Sequence, residues 1–167
     1  ALFTFALQAH AWPQNPELFL KWNILIHILN TSLLTWLALN LSKINSKKNI
    51  ISPKVAIIAG FTWAILPINV SSSLLIIQRM TTLMATFVFS GLIFYTKARI
   101  NAQNTPEKHL IKLSIIIIFF TLLAAFTKEN GILLPIYILA IEATLLSSPH
   151  YNSIQTRWKL WKNTFLL

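Results

Sequence analysis

The sequence predicts an all-α fold, a polytopic membrane helix bundle of about five transmembrane helices with one Pro-broken segment. Three observations predict it. Of the 167 residues, 55% are hydrophobic and only 11% charged, where a soluble domain carries about a quarter charged residues. Five apolar stretches recur along the chain, each near the ~20 residues a helix needs to cross the hydrocarbon core. Eleven of the fourteen lysines and arginines fall between those stretches on one side only. Helices are the choice because an open strand edge cannot be satisfied in lipid.

The first span is about Leu18 to Leu41, followed by a loop with Lys43, Lys47, Lys48 and Lys54. The second apolar stretch starts near Val55 and contains Pro67, which has no backbone N–H and ends or kinks a helix. Asn69 and the run Ser71-Ser72-Ser73 follow. The expected path is a helix from about Pro53 to Leu66, an irregular segment, and a third helix starting near Ser73. The alternative is one kinked helix to Ile77 with a tight turn at Gln78-Arg79. The third apolar run extends from about Met80 to Tyr95, before a basic loop with Lys97, Arg99, Lys108 and Lys112. The fourth span is about Leu110 to Phe126 and the fifth about Gly131 to Leu146. A tail with Arg157, Lys159 and Lys162 closes the chain. No internal repeat or low-complexity linker is visible.

Under the positive-inside rule the two basic loops and the tail are cytoplasmic. The segment before Leu18, the region from Asn69 to Arg79 and the turn at Lys128 to Asn130 then face outward. Only Lys21, Arg79 and Lys128 place a cation on that side.

A net charge of +10 would suggest nucleic acid in a soluble chain. Here the cations sit in short loops beside spans, so topology and attraction to anionic membrane lipids account for them, and no nucleic-acid partner is expected. There is no cysteine, so neither a redox compartment nor a thiolate site can be argued. The chain begins with Ala rather than Met and ends on Thr164-Phe165-Leu166-Leu167. It reads as one transmembrane domain, residues 1–167, from a longer protein.

Polar residues inside the spans are the candidates for function. Asn23, His27 and Asn30 lie at spacings of four and three, on one face of the first helix. Such a face belongs inside a bundle or a wet cavity. His27 is a candidate for a polar site or proton relay; the plainer reading makes all three interhelical hydrogen-bond partners. One His with two Asn is a poor ligand set for a transition metal, so no metal is expected. Arg79, Thr82, Thr86 and Ser90 form a second stripe, with Gly91 offering a close helix approach. A guanidinium at the mouth of such a stripe suits a bidentate grip on phosphate, or snorkels to head groups.

Lys128-Glu129-Asn130 makes the turn between the fourth and fifth helices. Asn130 there is expected to cap the fifth helix, with Glu129 complementing its dipole. In the functional reading Lys128 meets an anionic head group and Glu129 orients it. Glu142, deep in the fifth helix, needs a partner, and a Lys or Arg near the cytoplasmic end would serve. His10-Ala11-Trp12-Pro13 suits an interfacial anchor, and Trp158 and Trp161 beside Arg157, Lys159 and Lys162 suit an amphipathic surface segment. Asn69-Val70-Ser71 matches an N-glycosylation acceptor. There is no Gly-rich phosphate loop, no Ser-His-Asp arrangement and no Cys/His set, so a cytosolic nucleotide-driven mechanism and a cofactor find no support.

Three segments carry a family resemblance: Phe19-Leu20-Lys21-Trp22-Asn23-Ile24-Leu25-Ile26-His27-Ile28-Leu29-Asn30; Trp63-Ala64-Ile65-Leu66-Pro67 leading to Ile77-Gln78-Arg79-Met80-Thr81-Thr82-Leu83; and Thr127-Lys128-Glu129-Asn130-Gly131-Ile132-Leu133-Leu134-Pro135. Together they resemble the membrane part of bacterial polytopic proteins that often carry C-terminal tetratricopeptide repeats. Those proteins are similar to O-mannosyltransferases with transmembrane and tetratricopeptide-repeat parts, within the GT-C class of glycosyltransferases. The resemblance covers most of residues 1–147. It implies an integral membrane protein, in the bacterial inner membrane. It also implies transfer of a sugar from a polyprenyl-phosphate carrier to a protein or glycan hydroxyl on the extracytoplasmic face. Carried over residue by residue, Arg79 and Lys128 are the phosphate contacts, with Gln78 and Asn130 beside them in the same motifs and Glu129 as the carboxylate. Two rivals predict differently: a non-catalytic anchoring or assembly module, and a transporter with water access along Thr82, Thr86 and Ser90.

Overall fold

The computed structural model describes residues 2–9, 15–44, 52–101 and 106–144. Every regular element among them is helical: α1 (Leu2–Ala6), α2 (Pro16–Ile44), α3 (Pro53–Ile65), α4 (Pro67–Leu74), α5 (Arg79–Asn101), α6 (Pro106–Thr127) and α7 (Leu134–Thr144). Two 3-10 turns, Ile76–Gln78 and Glu129–Leu133, lead into α5 and α7. Proline opens α2, α3, α4 and α6, where its missing N–H would have lacked a helical partner in any case. Ser52 caps α3 by accepting from the Val55 amide at 3.4 Å.

The break between α3 and α4 follows from Pro67. A continuous helix would bond residue 67 to the Trp63 carbonyl and residue 68 to the Ala64 carbonyl. Pro67 has no N–H to give, and the two helices meet with a 54° bend. Side chains take over the freed carbonyls. Asn69 Nδ2 donates to Trp63 O at 2.8 Å, and His27 Nε2 donates to Ala64 O at 3.1 Å. The segment after Pro67 is therefore a short helix rather than the irregular stretch expected. The third long helix starts at Arg79, not near Ser73, because Leu75 is extended and a 3-10 turn intervenes.

Contacts along α2 and α5 advance in step, from Asn23–Arg79 through Asn30–Thr86 to Trp36–Lys97. The two helices therefore run parallel, and the bent α3–α4 pair returns the chain between them. Next, α6 runs back along α5, bringing Lys128 at its end to Thr81. Finally α7 runs parallel to α5 and brings Glu142 to Arg99. The core lies where α2, α5, α6 and α7 meet, around Leu37, Leu92, Ile93, Ile117, Leu134 and Ile138.

Glycines set the close approaches. A Cβ at Gly60 would collide with the Thr35 hydroxyl, where α2 crosses α3. At Gly91 it would lie 2.8 Å from Leu134 Cδ1 and 2.9 Å from Phe120 Cβ, the close approach that the sequence placed there.

Fewer helices than expected are long and apolar enough to cross a membrane among the described residues. Among the described residues two helical stretches are long and apolar enough to cross a membrane, Glu17–Ser42 and Ile76–Arg99, or three if the bent α3–α4 pair counts as one span. About five were expected. The apolar part of α6, Ile111–Thr127, has 17 residues. At 1.5 Å per residue it reaches about 26 Å, against a hydrocarbon core of about 30 Å. Large apolar side chains cover the outer faces, among them Ile58 at 63% exposure, Phe61 at 66% and Phe126 at 81%. The interfacial segment around His10 and Trp12, and the basic tail around Trp158 and Trp161, lie outside the described residues.

Candidate functional site

The sequence-predicted polar residues gather at one end of the bundle, around the start of α5. Arg79 is its centre and is 1% exposed. Its Nε donates to Asn23 Oδ1 at 2.8 Å, Nη1 to Gln8 Oε1 at 2.7 Å, and Nη2 to the Phe19 carbonyl at 2.8 Å. The rings of Phe5 and Phe19 lie 4.8 and 5.3 Å from the guanidinium carbon, within cation–π range. Three of the five guanidinium donors are thus engaged, all by neutral acceptors. Among the described residues the only ion pair is Arg99–Glu142, so no carboxylate balances Arg79. The guanidinium points into protein, beneath α1, rather than snorkelling outward to head groups.

The second cation is close by. Lys128 Nζ donates to Thr81 Oγ1 at 2.8 Å, and the same hydroxyl donates to Gln78 Oε1 at 2.9 Å. Lys128, Thr81 and Gln78 form one chain across the end of α5 and α6. Arg79 and Lys128 therefore occupy the same end of the bundle. Lys128 and Gln78 are half-buried, while Glu129 and Asn130 are exposed on the 3-10 turn that follows.

That turn is held by backbone contacts. The Lys128 amide donates to Ala124 O at 3.0 Å and the Gly131 amide to Lys128 O at 2.9 Å. Gly131 presses on α6 so closely that a Cβ would sit 2.6 Å from the Ala125 nitrogen. Asn130 does not cap α7 as expected: the residue flanking the turn is Lys128, which makes no side-chain cap.

Asn23, His27 and Asn30 share one helix face, as their spacing predicts, and each bonds across to another element. Asn23 is fully buried; besides accepting from Arg79 it donates to the Leu75 carbonyl at 3.1 Å. Asn30 donates to Thr82 O and accepts from the Thr86 hydroxyl, both at 2.8 Å. His27 stacks on Trp63 with ring centroids 5.4 Å apart. A carbonyl can only accept, so the proton on that ring nitrogen belongs to His27. The plainer reading therefore describes the geometry: the α2 stripe and the Thr82–Thr86 stripe of α5 interlock. Asn69, the glycosylation candidate, has its amide nitrogen committed to the helix break.

At the opposite end Glu142 accepts from Arg99 Nε at 2.9 Å and from the Tyr95 hydroxyl at 2.8 Å. Sequence reasoning foresaw a basic partner for Glu142 but missed Tyr95. It also missed Gln8 and Thr81. Gln8 was visible as the polar residue between Ala6 and Ala9, but no periodicity tied it to Arg79. Comparison with protein-family models, curated proteins and solved structures returned no match.

Proposed function

We propose that this chain is the helical membrane domain of a GT-C-like glycosyltransferase, and that the end of the bundle bearing Arg79 and Lys128 binds the phosphate of a polyprenyl-phosphate-linked sugar. One observation carries the proposal. Two cations from distant parts of the chain lie at one end of the bundle, and the buried one has no carboxylate counter-ion among the described residues. A buried charge without an opposite charge is costly, so this end has a standing preference for an anion. The apolar outer faces of α2, α3 and α5 suit the hydrocarbon tail of such a donor and the surrounding membrane lipids.

The reaction is attack by a protein or glycan hydroxyl on the anomeric carbon, with rupture of the bond from that carbon to the phosphate oxygen. Lys128 and Arg79 stabilise the charge that develops on the departing phosphate. Glu129, exposed next to Lys128, is the carboxylate positioned to take the hydroxyl proton. Gln78 fixes Lys128 through Thr81, and Asn130 lines the same turn.

A non-catalytic assembly module is the second reading, favoured by the engagement of Arg79 with protein acceptors. The test is transfer of radiolabelled sugar from a polyprenyl phosphate by the full-length protein in its native membrane. Lys128→Ala and Glu129→Gln are each expected to lower turnover by at least about tenfold, roughly 1.4 kcal/mol of transition-state stabilisation. Normal assembly with no transfer by the unaltered protein favours the assembly module.

A further inference from the structure

Gln8 reaches Arg79 from a separate segment of chain, and it contributes the least suitable group for the task. Its amide oxygen sits 2.7 Å from Nη1, in a position where a charged oxygen would bind about twice as strongly. The amide leaves the positive charge unbalanced. The segment that delivers it is also lightly held. With five residues, α1 is too short to be stable as an isolated helix. Phe3 is 73% exposed and Leu7 61%, so two of its large apolar side chains make little contact with the bundle. Its ties at the site include the Gln8 bond, the Phe5 ring over the guanidinium, and the Phe5–Phe19 stack with centroids 6.4 Å apart. Asn23 and the Phe19 carbonyl, by contrast, belong to α2 and stay in place whatever α1 does.

We infer that the segment Leu2–Ala9 is an exchangeable lid, in which Gln8 occupies the face of Arg79 that a phosphate-class anion takes when bound. The inference rests on the proposed reading of this end as a phosphate site. Release of Gln8 and Phe5 frees the Nη1 edge, and the planar fork then meets two oxygens of one phosphate. Lys128, fixed through Thr81 beside the start of α5, supplies the second positive charge. The lid thus couples anion arrival to movement of the N-terminal segment. It also shields the guanidinium from water when no anion is bound.

The experiment uses the full chain in maltoside micelles, which contain no phosphate. Because the sequence has no cysteine, Phe3→Cys carries a single spin label on the outer side of the lid. Dodecyl phosphate is expected to raise the label's mobility in the otherwise unaltered chain. In Gln8→Glu the new carboxylate pairs with the guanidinium, so the label stays immobile and affinity for dodecyl phosphate falls by about tenfold or more. Gln8→Ala removes the competitor and is expected to bind severalfold more tightly. If Gln8→Glu fails to fold, Gln8→Leu serves in the opposite sense and behaves as Gln8→Ala. An equal response to inorganic phosphate identifies a free anion as a sufficient ligand, and a response to dodecyl phosphate alone identifies an amphiphile head group; both support the lid. Binding with an unmoved label, or weaker binding by Gln8→Ala, overturns the lid while leaving the phosphate site standing. No binding by any form, Gln8→Ala included, overturns both.

Discussion

Arg79 Nε donates to Asn23 Oδ1 at 2.8 Å, and this bond fastens the first long helix to the start of the central one. Asn23 in turn donates to the Leu75 carbonyl, in the extended step between α4 and the 3-10 turn. One buried amide therefore ties three pieces of chain at the cationic end. Replacement of Asn23 by Leu strands the charged Nε donor of Arg79, while the Leu75 carbonyl keeps the Gln78 amide. The expected loss is about 2–4 kcal/mol, read as a lowered midpoint of unfolding in detergent. Asn23→Asp keeps an acceptor for Arg79 and is expected to lose less than Asn23→Leu.

The helix break makes a different prediction. Pro67→Ala restores an N–H that can donate to Trp63 O, so Asn69 is released and the 54° bend decreases. Distances between paired spin labels on α3 and α4 are expected to lengthen. In the same sense His27→Phe keeps the stack on Trp63 but leaves Ala64 O without its donor. It should destabilise by about 1–3 kcal/mol, whereas His27→Gln, which can still donate, should cost less.

The glycine contacts rank three substitutions. Gly131→Ala meets the α6 backbone at Ala124 and Ala125, which cannot move aside, so it is expected to be the most damaging. Gly91→Ala meets side chains of Leu134 and Phe120 that can shift, at about 1–3 kcal/mol. Gly60→Ala meets the Thr35 hydroxyl, which donates to Thr31 O at 2.8 Å. Combining it with Thr35→Ala should recover most of the loss, as measured by thermal unfolding of the single and double variants.

At the other end Glu142 joins Arg99 and Tyr95. Glu142→Ala leaves the largely buried Arg99 guanidinium without a counter-ion, at about 3–5 kcal/mol. Arg99→Met with Glu142→Leu removes both charges and is expected to regain most of that stability. A double variant as weak as Glu142→Ala would mean that packing, not charge, sets the cost.

The polar stripes were legible because helical periodicity puts Asn23 and Asn30 on one face and Thr82 and Thr86 on another, and each needs a partner away from lipid. Pro67 announced its own break. The count of spans was not legible, because hydropathy marks apolar composition rather than helix length. Gly131 to Leu133 read as the start of the fifth helix, yet the approach of Gly131 to the α6 backbone accompanies a 3-10 turn and α7 starts only at Leu134. At the site, the shared end of Arg79 and Lys128 followed from charge placement. The enclosure of Arg79 did not, since Gln8 is 71 residues away in sequence and belongs to no periodic pattern.

The most direct measurement is equilibrium binding of a polyprenyl phosphate to the full chain in maltoside micelles, comparing the unaltered protein with Lys128→Glu. The account predicts that Lys128→Glu weakens binding at least about tenfold, with the unfolding midpoint little changed because Lys128 is half-buried and bonded to a single hydroxyl. Equal affinity in the two proteins would contradict it.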